Sequence, residues 1–161
     1  MLVQNYGLFW QREKVNWGTP GRGGSGTLMG RYARRRTSDG VDFRLQRGVY
    51  VLYDDNFRIV YVGQAGRGKH RLFIRLRTHK NDHLAQRWSR FSWFGILPVL
   101  AGSLDADAEP PGQSVEGTLN HMEAILIAAA EPPLNLQSGR FGSDVEQYLQ
   151  DGSDIDGDDE E

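Results

Sequence analysis

Tyr50 and Tyr61 stand in two short, strongly strand-like runs, RGVYVLYDD and FRIVYVGQ. Between them, Asp54-Asp55-Asn56-Phe57 has the polar turn chemistry of a hairpin loop. With those four residues as the loop, Tyr53 faces Arg58, and Tyr50 lies directly opposite Tyr61. Alternation along the strands then sends both phenols to one sheet face. Two hydroxyls side by side on a rigid hairpin can form a reaction centre, or simply a pair in the core.

Further along, Arg71, Arg75, His79 and His83 recur every four residues. The spacing predicts a helix from Leu72 to about Lys80, with Leu72, Phe73 and Leu76 as its apolar stripe and the four basic residues as one ridge. Like charges at that interval weaken a bare helix. The ridge therefore suits an anion lying along it, or else forms a solvated basic face. Glu123 is unusual in a different way: its neighbours one turn away are Leu119, Leu126 and Ile127. A carboxylate on such an apolar surface calls for an arginine, a metal ion or hydrogen-bond donors. His121 points about 160° away from Glu123 on a helix, so the two do not share a metal. The segment Gly63-Gln-Ala-Gly-Arg-Gly68-Lys69-His70 nearly matches a phosphate loop, but His70 stands where a magnesium-binding hydroxyl is needed. Its glycines suit a tight backbone turn beside a nucleic-acid phosphate better than nucleotide hydrolysis.

These groups need a scaffold, and the chain supplies one domain's worth of residues with extensions. Ahead of the hairpin, the glycines of Gly18–Gly26 argue for a loop, and Arg34-Arg35-Arg36 adds a compact positive charge. Phe91–Leu100 reads as a third, buried strand stopped near Pro98. Thr118 is a plausible N-cap for a helix from Leu119 to about Ala130, ended by Pro132-Pro133. From Ser143 onward nine acids and no base accompany few apolar residues, so this tail is expected to be largely disordered. The boundaries expected are 1–46 for an N-terminal extension with a Gly/Arg-rich loop, 47–142 for the central domain and 143–161 for the acidic tail.

The net charge of −2 conceals a division: residues 1–90 carry eighteen Lys/Arg against six acids, and residues 91–161 carry Arg140 against fifteen. A basic half suggests a polyanionic partner, although folding could also bring the two halves together in mutual neutralisation. Zero cysteines exclude disulfides, thiolate metal sites and cysteine nucleophiles. With no apolar run of membrane-spanning length and no signal-peptide pattern, the expected setting is cytoplasmic, with no membrane partner.

Taken together, the ordered set Tyr50, Tyr61, Arg75, His79, Glu123 and Asn135 resembles the GIY-YIG nuclease superfamily. GVY and YVG are similar to the two halves of its naming motif, with valine in place of isoleucine. Arg75 in LFIRLRTH occupies the place of the arginine on the next helix, and His79 that of a histidine or tyrosine four residues on. Glu123 in HMEAILI matches the metal-binding glutamate, and Asn135 in PPLN the asparagine that follows it. The resemblance covers residues 47–136, or 90 of 161. One departure is the longer turn after YVG, which makes Arg71 a competitor of Arg75; the preserved Arg-to-His interval favours Arg75.

What the resemblance implies is an α+β fold, a small three-stranded antiparallel sheet flanked by helices, with the site on one sheet face. It also implies an endonuclease that hydrolyses phosphodiester bonds in DNA with one Mg²⁺ or Mn²⁺ held by Glu123. In such a site Tyr50 acts as general base, its phenol pKa lowered by a nearby cation. Tyr61 orients Tyr50 or the water, His79 takes a proton or contacts the phosphate, Arg75 grips two phosphate oxygens, and Asn135 supports the site from a loop. Arg34, Arg35 and Arg36 before the hairpin, with Arg67, Lys69 and Arg71 after it, are the expected nucleic-acid contacts. RNA is the alternative substrate, and a homo-oligomer or larger assembly is compatible with the chain. Restriction or defence, repair and mobile-element processing are the candidate roles. The alternative from another class is a non-cleaving nucleic-acid-binding module, or a nuclease subunit that needs a partner protein.

Overall fold

The computed structural model describes residues 2–19, 25–35, 39–66, 68–109, 112, 115–130 and 141–152, without the side chains at 115–120 and 123. Along the chain run β1 (Asn5–Gln11), a short 3-10 turn (Arg12–Lys14), β2 (Met29–Tyr32), β3 (Val41–Asp42), β4 (Gly48–Tyr53) and β5 (Ile59–Ala65). There follow α1 (Leu72–His79), β6 (Arg90–Gly95), β7 (Val99–Leu100), β8 (Ser103–Leu104), α2 (Val115–Ala130) and β9 (Glu146–Gln150).

The small three-stranded sheet flanked by helices is not what forms. Seven strands make one mixed sheet in the order β3-β2-β9-β1-β6-β4-β5, and β7 and β8 make a separate two-stranded ribbon. β4 pairs antiparallel with β5 on one side and β6 on the other, but β6 then continues into β1, and β1 into β9 in parallel. The extra strands come from the two ends of the chain. β1 is rich in aromatics and buries Asn5, Gly7 and Trp10. β9 begins within the stretch expected to be disordered; Val145 and Tyr148 supply enough buried surface to seat it between β2 and β1. Residues 153–161, the most acidic part of the tail, lie outside the described residues.

Aromatic packing fastens the added strands to one another and to β6. Phe43 lies tilted with its centroid 4.5 Å from Trp93 and meets Tyr148 edge-on at 4.6 Å, and Trp10 meets Trp93 edge-on at 5.3 Å. These rings are almost wholly withdrawn from water, each such burial contributing roughly 1.5–3 kcal/mol. Gln46 clamps the same region from within: its Nε2 donates to Asn5 Oδ1 and Leu97 O, and its Oε1 accepts from the Leu97 and Arg47 N–H groups. A buried amide with its partners satisfied fixes β1 and β6 against the segment leading into β4.

The two helices lie on opposite faces. Leu72, Phe73 and Leu76 of α1 share a core with Tyr50, Leu52, Phe91 and Trp93. Ala124 and Ala129 of α2 share another with Val51, Tyr53 and Phe94. Alternation along β4 produces this division directly.

Candidate functional site

The hairpin register decides what Tyr50 meets. Tyr50 pairs with Gly63, and Leu52 with Tyr61, so the two tyrosines are diagonal neighbours and not directly opposed. The loop is the cause. Asp54 Oδ1 accepts the N–H groups of Asn56 and Arg58, Phe57 adopts a positive φ of 60°, and the register then slips near Tyr53, leaving Val60 as an extra residue in β5. The phenols still share a face, with ring centroids 6.1 Å apart.

That register makes Gly63 a steric requirement. A β-carbon there would run into the Tyr50 hydroxyl and ring and into the Tyr61 ring. Gly48, at the start of the GVY segment, is constrained by the backbone: its φ is +149°, and a β-carbon would strike the Phe94 carbonyl.

α1 brings the remaining groups. It has no side-chain cap at its N-terminus; the N–H groups of Leu72 and Phe73 donate instead to the carbonyls of Gln46 and Arg44. The helix ends at His79, so the expected four-residue ridge does not form: Arg71 precedes the helix, and His83 follows it in an exposed turn. His79 is buried, its Nε2 2.8 Å from the Tyr50 hydroxyl and its Nδ1 2.8 Å from Asp82 Oδ2. Asp82 Oδ1 accepts the Leu84 N–H. Burial opposes ionisation of Asp82, but the Leu84 N–H and His79 together hold its carboxyl below the ordinary value. An ionised carboxylate only accepts, so Nδ1 carries a proton toward Asp82, and in the tautomer with Nε2 free the imidazole accepts the Tyr50 hydroxyl.

Tyr50 is fully buried. Burial pushes its phenol up to about 12, against the opposing pull of Arg75. The free phenolate expected for a general base is thus disfavoured, because the loss of hydration outweighs the nearby cation. Arg75 itself loses some charge stabilisation to burial, but Tyr50 and Tyr61 hold its guanidinium above the ordinary value. Its Nε is buried and has no hydrogen-bond partner among the described residues. Arg75 and Tyr61 line an open groove of about 500 Å³ that runs along β5, with Val49, Val62, Gly63 and Gln64.

The structure thus gathers Tyr50, Tyr61, Arg75 and His79, with Lys69 and Arg71 in the adjoining β5–α1 loop. Arg71 turns one guanidinium N–H onto the Gly68 carbonyl. Arg34 and Arg35 are exposed just past β2; three strands separate β2 from β4, about 19 Å across the sheet. Glu123 belongs to α2, which packs on the face opposite α1; its side chain, together with Arg36, Arg67 and Asn135, lies outside the described residues. His121 is engaged in the fold, its Nδ1 accepting the Val3 N–H. Asp82 and the steric role of Gly63 escaped the sequence reading. An acid three residues after His79 was the available signal for the first.

Among the described residues no group of three or more His, Asp or Glu is placed to hold a metal ion. Both oxygens of Asp82 are already engaged, so the described residues fit a proton relay and do not by themselves fit a divalent-cation site. Nor is any helix among them long and apolar enough to cross a membrane. No known family model matches the chain, and no curated protein or solved structure matches it either.

Proposed function

We propose that this chain is an endonuclease that hydrolyses phosphodiester bonds in DNA, a divergent relative of the GIY-YIG enzymes whose motif strands β4 and β5 are carried in a larger sheet. The observation that carries this reading is the 2.8 Å contact between the Tyr50 hydroxyl and His79 Nε2, backed by Asp82 and set beside Arg75 at an open groove.

A phosphate entering the groove would meet Arg75 first. Its guanidinium, already set beside the Tyr50 and Tyr61 hydroxyls, can turn its groove-facing donors to a phosphate oxygen and stabilise the charge that builds up during attack. Tyr61, half-buried on the groove wall, would meet the attacking water. Tyr50 would pass its own proton to His79 Nε2 as it takes one from the groove side, and so would never stand as a free phenolate. Asp82 would steady the resulting imidazolium. The oxygen–phosphorus bond forms, the ester bond opposite it breaks, and water protonates the departing alkoxide. A relay of this kind is worth about 10²–10⁴ in rate. The Mg²⁺ or Mn²⁺ of this proposal would rest on Glu123 and on oxygens of substrate and water and would supply charge neutralisation there. Because α2 packs on the face opposite α1, no step of the proton path is routed through that ion. The proton path stands on this chain's own residues. DNA as partner, with RNA the alternative polyanion, and a cytoplasmic setting belong to the same proposal.

Supercoiled-plasmid cleavage with Mg²⁺, Mn²⁺ or EDTA, with Arg75→Ala and Glu123→Ala alongside, tests it. Metal-dependent nicking lost in both variants is the expected result; near-normal cleavage by Glu123→Ala would remove that residue from the metal's role. Two observations favour the non-cleaving alternative: Tyr50 is sealed from solvent, and α2 packs on the far face. Salt-sensitive DNA binding without cleavage under any metal would establish that alternative.

A further inference from the structure

A second groove, of about 370 Å³, opens past the C-terminal end of α1. Arg12, Lys80 and Arg90 line it, with Trp17, Trp88 and the carboxylates of Glu13 and Asp55. These three cations come from three elements: the turn after β1, the residue following α1 and the start of β6. A cation at a helix C-terminus is accounted for by the helix dipole, but that explains Lys80 alone. Arg12 and Arg90 need another reason to be there.

Among the described residues none of the three is in an ion pair; the ion pairs there are Arg31–Asp151, Arg44–Asp42 and His79–Asp82. Each of the three cations leans instead over an aromatic ring: Arg12 is 4.8 Å from Trp88, Lys80 is 5.2 Å from Trp17 and Arg90 is 4.5 Å from Phe57. A ring face holds a cation in position without cancelling its charge. Arg12 is pinned further, its Nη1 donating to the carbonyls of Ala85 and Trp88. The result is a concave surface bearing three oriented positive charges outside the ion pairs of the described residues, against the two acids Glu13 and Asp55, suited to a ligand with several spaced anionic groups. It is also joined to the first site, because Trp88 Nε1 donates to the His79 carbonyl and Lys80 is the next residue along.

We propose that this groove holds a flanking stretch of phosphodiester backbone, so that one nucleic-acid ligand is gripped at both the Arg75 groove and the far end of α1. The proposal deepens the nucleic-acid reading of the first groove and rests on it. Phosphate contacts of this sort add affinity and salt dependence without sequence choice.

The test is fluorescence anisotropy of a labelled duplex and of one of its strands across a salt series. It uses the full chain and the double variant Lys80→Gln/Arg90→Gln, with near-UV circular dichroism to verify the fold. Arg12 is left alone because it holds two backbone carbonyls. The double variant should flatten the slope of log K against log salt by about 1 to 2, and Asp55→Asn, which removes an opposing charge, should tighten binding. An unchanged slope in the double variant would overturn the proposal. If the flattening appears and the wild type cuts no plasmid, this groove stands and the hydrolase reading falls. If the wild type cuts while the double variant keeps its full slope, the reverse holds. A wild type that binds neither ligand overturns both.

Discussion

Tyr50 and Tyr53 lie three residues apart on β4, and both are sealed from water. Because three is an odd number, they point to opposite faces of the sheet. Tyr53 donates its hydroxyl to the Ala129 carbonyl at 2.6 Å and lies 3.1 Å from Ser92 Oγ. Those partners belong to the fixed frame, and the bond ties the end of α2 to the sheet. Tyr50 is bonded to His79 Nε2, a group that can accept its proton and that is backed by Asp82. Arg75 stands beside it. Burial and hydrogen bonding are common to both residues; what differs is the partner. A carbonyl can only hold the proton where it is, whereas an imidazole can take it and deliver it elsewhere. The same strand thus carries a staple on one face and a candidate relay on the other.

Phenylalanine at each position breaks the comparison most sharply. Tyr50→Phe should lower plasmid cleavage by about 10²–10⁴ with DNA affinity nearly unchanged, since it removes a proton path and no phosphate contact. Tyr53→Phe should leave the rate within about twofold but cost about 1–2 kcal/mol of stability in urea, because a buried carbonyl loses its donor. Equal losses of rate in the two variants would mean that Tyr50 is a staple as well.

Asp82→Asn carries a smaller effect. An amide can donate to His79 Nδ1 and so favour the tautomer with the proton on Nε2, which cannot accept from Tyr50. Cleavage should fall by about 10- to 100-fold, and the ¹⁵N shifts of His79 should report the changed tautomer. A slower enzyme with unaltered His79 shifts would assign Asp82 to the loop, through Leu84, and not to the relay.

Gly63→Ala acts through volume. The added methyl must displace the Tyr50 and Tyr61 rings, so a loss of about 1–3 kcal/mol is expected together with loss of cleavage. Gly102 has nothing within reach of an added β-carbon but has a positive φ of 79°. Alanine there should cost stability through the backbone alone and leave the rate intact.

Local chemistry explains what could be seen from the sequence. GVYVLY and IVYVGQ alternate as strands, and Leu72, Phe73 and Leu76 mark α1, because those patterns depend on near neighbours. The hairpin register depended on a side chain: Asp54 gathers two N–H groups and forces Phe57 into a positive φ, which counting loop residues cannot foresee. β9 shows the other limit. EQYLQ has a single buried residue, Tyr148, and its partners on either side lie more than a hundred positions away in the chain. Acidic composition outweighed that weak local signal, and the sheet was expected to be far smaller than it is. Within the site, Tyr50, Tyr61, Arg75 and His79 were legible because motif spacing carries them. Asp82 was not, because one acid in a turn resembles any other until the histidine's orientation is known.

Alkaline titration isolates the environment of Tyr50 most finely. Tyr50 is raised to about 12 by burial, and so is Tyr148. A phenol with a raised folded value holds its proton more tightly in the folded state than in the unfolded one. The associated stability is fully present below about pH 10, the unfolded value, and is lost as pH rises through about 12. By about pH 11 each such tyrosine should have cost about 1 kcal/mol. Urea midpoints should therefore drop in this window for the wild type and drop less for Tyr50→Phe, with Tyr148 contributing equally to both. If the two curves run parallel, Tyr50 ionises in the folded protein as readily as in the unfolded chain. Arg75 would then outweigh burial, and Tyr50 could serve as a phenolate base directly, with no need of His79.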